Sequence, residues 1–276
     1  MLPVNLALVS EVGDHDPGDV SRVAAALQRQ ATRDFGPIWN VQATVDAFPR
    51  LEDVPVGYWP MIVETDIKRP GAAGIHEDKD GQPFALIAMS DSWSLTASHE
   101  MLEMLADPFG KRVIPGRSPK RGQDRVEFLV EVCDPCEADE CAYTVNDILV
   151  SDFYTPNYFD PTDSKSTRYS YTGALTKPRQ VLRGGYLSWH DPVSDHWWQE
   201  IYFGQRREYR DLGVFDAKTG SVRSWIDAQT DHPGIDRGLK KSNAALKAAV
   251  AVGKKTKKSS SAKADAWRKQ VKALKG

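Results

Sequence analysis

Ser94–Pro108, SLTASHEMLEMLADP, is the stretch that decides how the chain is read. As a helix it places His99 and Glu103 one turn apart on one face, with Glu100 beside them, since residues at i and i+4 are neighbours. Helical side chains lean back toward the N-terminus, so the two tips can converge on one point. Leu95, Met101, Leu102, Met104 and Leu105 cover the rest of the surface. A helix that is apolar nearly all round is normally buried. An imidazole and two carboxylates on such a helix are costly unless something compensates them. A metal ion would compensate all three. Asp107-Pro108 ends the helix, because proline pushes the preceding residue out of the α region.

The segment His99-Glu100-Met101-Leu102-Glu103 resembles the H-E-x-x-H helix of zincin metallopeptidases. There two histidines bind zinc and the glutamate is the general base. The resemblance implies that His99 is a ligand and Glu100 the base, while Glu103 stands where the second histidine would be. Carboxylate oxygen is an accepted zinc ligand. It also shifts preference toward harder ions, so manganese or iron is the alternative to a single zinc. The bland reading of His99 is a satisfied core histidine. Three close carboxylates (Glu100, Glu103 and Asp107) tell against it, because they repel one another unless a cation or a proton intervenes.

Upstream, Val4–Val12 reads as a buried strand, and a helix capped by Asp19 or Ser21 runs to about Phe35, where Gly36-Pro37 ends it. Trp39–Phe48 and Val56–Ile67 read as strands, Pro70–Gly81 as a Gly-rich turn containing His76, and Pro83–Ser90 as a fourth strand leading into the His99 helix. This order resembles the N-terminal part of zincins. That likeness makes the strand before the helix the sheet edge, with substrate laid along Ala85, Ile87 and Met89 by β-augmentation. His76 joins them as a substrate-binding candidate.

Downstream, Phe109–Gln123 reads as a basic loop, and Glu127–Val132 as a strand ending at Asp134-Pro135. The zincin likeness asks for a third ligand here; Glu131 and Asp134 rank level, with Glu137 third. Tyr154 and Tyr158 are the candidates for an oxyanion donor, against the bland reading of core aromatics. Three segments, Ser98–Pro108, Glu131–Pro135 and Val150–Pro156, also match S-H-E-x-x-E-x-x-x-D-P, E-V-C-D-P and V-S-D-F-x-x-P in a set of bacterial proteins whose activity is inferred. The likeness runs from about Val4 to Trp198. Cys133, Cys136 and Cys141 could hold a structural zinc with His76 or Asp139, or stay as free thiols. Val181–Phe203 reads as a hairpin in which His190 and His196 could form a second metal site; Tyr209–Trp225 reads as another hairpin.

The chain has 276 residues, 41% hydrophobic and 27% charged, as ordinary globular proteins do. It has no run of 18 apolar residues for a membrane span. No signal peptide is evident at the N-terminus, and three cysteines suit a reducing cytoplasm. From Arg237 to Gly276, eleven Lys and two Arg face one Asp, so a tail of +12 leaves −14 on the remainder of a chain whose net charge is −2.

The expectation is therefore an α+β, zincin-like protein. Residues 1–165 form a mixed twisted sheet with the active-site helix, 166–236 a β-hairpin-rich part, and 237–276 a basic low-complexity tail. Its expected function is zinc-dependent peptide or protein hydrolysis. Two alternatives stand beside it: an inactive zincin-fold binding protein, and a protein that binds nucleic acid or another polyanion through its tail.

Overall fold

The computed structural model describes residues 3–13, 15–69 and 71–230. The tail, 237–276, lies outside the described residues. Contacts group the described residues into two units, 3–101 with 144–150 and 102–143 with 151–230. The division does not fall after residue 165 as expected. It passes through the His99 helix, between Met101 and Leu102.

The first unit begins with β1 (Val4–Ser10), α1 (Pro17–Arg29), a π-helical segment (Gln30–Phe35) and α2 (Gly36–Trp39). It continues with β2 (Ala43–Phe48), β3 (Trp59–Glu64), β4 (Gly74–Lys79), β5 (Gln82–Ala88) and the start of α3 (Trp93–Ala106). The strands make one sheet in the order β2-β1-β3-β5-β4. β1, β2, β3 and β5 are parallel, and β4 runs antiparallel to β5. Parallel strands covered on both faces carry continuous apolar runs. Leu6, Ala7, Leu8 and Val9 of β1 are accordingly all fully buried.

Three expectations change in this unit. The first helix is capped by Asp16, whose carboxylate accepts from Gly18 N at 2.8 Å, because Pro17 already supplies a first-turn residue that needs no N–H partner. Gly36-Pro37 does not end the helical run. Pro37 sits in the first turn of α2, where a missing N–H costs nothing, and the chain stays helical to Trp39. The supposed turn 70–81 contains β4, and β4 is a sheet edge, so β5 is interior. Ala85 and Ile87 are therefore fully buried with neighbours on both sides, and Met89 N bonds to Glu64 O. The strand expected to receive substrate has no free edge.

After α3 come β6 (Val113–Arg117), inside what read as a basic loop, and β7 (Arg125–Leu129). The hairpin β8 (Tyr143–Val145) and β9 (Ile148–Val150) turns at Asn146-Asp147, both with positive φ. β10 (Tyr186–Asp191), β11 (His196–Ile201), β12 (Glu208–Gly213) and α4 (Val222–Gln229) follow. The second unit's sheet is antiparallel, in the order β12-β11-β10-β7-β6. The hairpin expected over 181–203 is β10–β11. The one expected over 209–225 is not formed: β12 pairs with β11, and the chain then enters α4. Ile226 of α4 packs with Leu129 and Trp197, with Val222 and Trp225 alongside. A mixed five-stranded sheet, an antiparallel five-stranded sheet, the two-stranded β8–β9 hairpin and few helices make the class of the described residues α+β. No described helix is long and apolar enough to cross a membrane.

Asp152, from the V-S-D-F stretch, pins a loop of the second unit. Its carboxylate accepts from Thr172 N at 2.9 Å and from Thr172 Oγ1 at 2.7 Å, while Phe153 stacks on Tyr171. Buried donors left unmatched cost about 1–3 kcal/mol. Asp152→Ala is expected to lower unfolding free energy by an amount in that range in urea denaturation, with Thr172→Val a smaller effect in the same direction.

Candidate functional site

α3 follows β5 after a four-residue connection and is buried almost throughout. Its three ionisable residues differ in one respect. Glu100 and Glu103 are buried, and His99 alone keeps partial exposure. Ligand-capable atoms of His99 and Glu103 lie within 4.8 Å of each other, as do those of Glu100 and Glu103. The helix thus carries both expected spacings.

In the first unit, Glu100 turns toward β4. His76 Nδ1 lies 3.5 Å from Glu100 Oε2, and both side chains are buried. Gly74 allows this approach, since a Cβ there would stand 2.6 Å from both Glu100 Oε1 and Thr96 Cγ2. His76 is therefore a partner of Glu100 on the inner side of β4 and does not face a substrate from the surface. Ser98, beside His99, donates to Gln30 Oε1 at 2.7 Å, so the π-helical segment helps hold α3 in place.

In the second unit, Glu103 is fixed from two directions. Its Oε1 accepts from Cys133 N at 3.2 Å, and its Oε2 forms an ion pair with Arg223 Nη1. The same Nη1 is 3.7 Å from Glu131 Oε1, and Arg223 Nε is 3.6 Å from Asp227 Oδ2. Arg223 is buried, as are Glu103, Glu131 and Asp134. Burial disfavours the charged guanidinium, but Glu103, then Asp227, Asp134 and Glu131 outweigh it and hold Arg223 protonated. Neither Glu131 oxygen accepts a hydrogen bond. Burial, and next the charge of Asp134, push the Glu131 carboxyl well up.

Arg223 is the residue that the sequence reading missed. Its signal was present: Ser221 caps α4 by accepting from Ser224 N, and Val222, Trp225 and Ile226 recur at helical spacing. α4 reaches the end of α3 through Gly110. Arg223 N donates to Gly110 O at 3.1 Å, and Gly110 has φ +57 with Arg223 Cβ 2.9 Å from where its own Cβ would be. Only glycine adopts that conformation with so close a neighbour at little cost.

The remaining expected residues are placed as follows. Asp134 opens a buried 3-10 turn, and Glu137 stands at its end, partly exposed. Ligand atoms of Asp134 and Glu137 lie within 4.8 Å of each other, as do those of Glu103 and Cys133. Tyr154 and Tyr158 are fully buried and stacked with centroids 4.4 Å apart, and Tyr158 donates its hydroxyl to Gln180 O. They are core aromatics. Cys133, Cys136 and Cys141 are buried free thiols; burial pushes Cys141 up to about 12. Among the described residues they do not form a ligand group together. His190 bonds Glu127 and Asp195, and His196 bonds Asp211, so the two histidines engage separate carboxylates.

No protein-family model matches the chain, and no curated protein or solved structure is significantly similar to it.

Removing one partner of a buried ion pair costs about 3–5 kcal/mol, because the other charge stays buried alone. Arg223→Ala is expected to lose that much stability in urea denaturation, and Glu103→Gln combined with it is expected to restore part of the loss. Glu131 supplies a separate test. Its carboxyl is raised above the unfolded value of about 4.3. Over that window the folded state keeps a proton the unfolded state has released, so stability falls as pH rises. Glu131→Gln is expected to flatten this slope above the unfolded value in chelator-treated protein.

Proposed function

We propose that the chain is a metal-dependent hydrolase with a zincin-like fold, acting on peptide bonds, with its ion held by His99 and Glu103 of α3 and by Glu131 or Asp134. Zinc fits this donor set, and manganese or iron is the alternative. The observation that carries the reading is Glu131, a buried carboxyl whose oxygens accept no hydrogen bond. Glu103 and Asp134 are buried in the second unit with it, and Arg223 reaches both Glu103 and Glu131. A divalent cation is the natural complement of such a set. Arg223 and Cys133 N then serve as the groups that orient a ligating carboxylate from behind, each using one lone pair.

When bound, such an ion acts as a Lewis acid toward a carbonyl and makes water a stronger nucleophile. The chain's own residues manage the proton. Glu100, in a dry setting and steered by His76, takes the proton from the attacking water and returns it to the leaving amine. The open edge of β4 replaces β5 as the strand along which an extended peptide would pair.

A second reading rests on the Arg223–Glu103 pair itself. If the guanidinium is the whole compensation for Glu103, the protein is a non-catalytic binding module and β4 receives a partner strand. The polyanion role of 237–276 is a separate proposal, tested by whether nucleic-acid binding survives deletion of that segment.

Metal content by mass spectrometry decides between the first two. One equivalent in the wild type, lost in His99→Ala and Glu103→Ala, is expected from the hydrolase. Glu100→Gln is expected to keep the metal and lose peptidase activity by about 10²–10⁴-fold. A protein that takes up no metal under any condition belongs to the second reading.

A further inference from the structure

A second polar constellation lies in the first unit and uses none of the residues proposed to hold the ion. A cavity of about 100 Å³ opens at the carboxyl ends of β1 and β2. Open α/β sheets bind small ligands at that end of their parallel strands. Ser10, His15 and Ser21 supply its polar atoms; Val20, Ala47 and Phe48 are among its apolar walls. Ser10 Oγ lies 2.8 Å from His15 Nδ1. The same oxygen accepts from Val12 N at 3.3 Å, and its rotatable hydroxyl proton can point at the imidazole. The edge of the His15–Trp93 contact, with centroids 5.0 Å apart and planes at 86°, sets the ring's orientation.

We propose that Ser10 is a nucleophile activated by His15, and that this cavity accepts the acyl group of a small, uncharged carboxylic ester. A nucleophile and a base within hydrogen-bond reach, with the base held by a third group, is the recurring arrangement for acyl transfer. Burial lowers His15 below the usual histidine value, against a smaller opposing effect of Asp16, which favours the neutral ring that a base requires. Val20, Ala47 and Phe48 offer an apolar surface beside the Ser10–His15 pair, and Asp16 beside His15 disfavours an anionic acyl group. The volume suits a short chain.

The step balances without an added reactant other than water. Ser10 Oγ bonds to the carbonyl carbon as the ester C–O bond breaks. The hydroxyl proton passes to His15 Nδ1 and leaves on the departing alcohol. Water, deprotonated by the same nitrogen, then cleaves the acyl-serine and restores Ser10.

The test treats the full-length protein with a fluorophosphonate ester, which forms an Oγ–P bond and releases fluoride. A chelator in the buffer silences metal-dependent hydrolysis. Peptide mapping is expected to find the adduct on Ser10, and Ser10→Ala to abolish it. A general base contributes about 10²–10⁴-fold, so His15→Gln is expected to slow labelling at least about 100-fold. His15→Phe, which keeps an aromatic ring against Trp93, is expected to slow it equally. Ser10 left unlabelled in the wild type, or labelled at the wild-type rate in both His15 variants, overturns the proposal.

Discussion

The guanidinium of Arg223 is the cation on which the centre of the second unit depends. Glu103, Glu131 and Asp227 all reach it, and Arg223, Glu103 and Glu131 are buried. Each of these charges is costly away from water, and the cost is recovered only through mutual attraction and good geometry. Their positions follow from that. α4 is drawn to the end of α3 so that Arg223 can meet Glu103, and Gly110 is required where the two backbones approach. The apolar side of α4, with Ile226 against Leu129 and Trp197, buries enough surface to hold the helix in place.

Glu131, whose oxygens accept no hydrogen bond, is raised well above its ordinary value first by burial and then by the charge of Asp134. A protein can meet that condition with a proton or with a metal ion, and the two have different functional meanings. A proton makes the cluster a structural feature. An ion makes Glu103 a ligand whose orientation is set by Arg223 and Cys133 N. On α3 only Ser94 and His99 keep partial exposure.

β4 shows how a sheet's edge alters a functional reading. A run containing Gly71, Gly74 and Gly81, with Pro70 and Asp80, has the composition of a turn. Gly74 is there for a different reason, since its missing side chain lets β4 lie against Glu100 and Thr96. Once β4 is formed, β5 is interior, His76 faces the helix, and the strand available to a partner moves from 85–90 to 74–79.

Much of the molecule was legible in the amino-acid order, because it rests on local periodicity. The apolar runs of β1, β3 and β5, the α3 helix with His99 and Glu103 one turn apart, and the β10–β11 hairpin all follow from spacing. Pattern alone also marked Glu131 and Asp134 as acids of interest. What neighbours a polar group is a different matter, since it is fixed by how the folded backbone places side chains that no helical or strand spacing links. Arg223 stands 120 positions from Glu103 in the numbering, and no local pattern links them. The tertiary structure decided that pairing, the inward turn of His76, and the meeting of Ser10 with His15. In each case a polar group leaving water must find its partner, and only the folded chain determines which partner lies within reach.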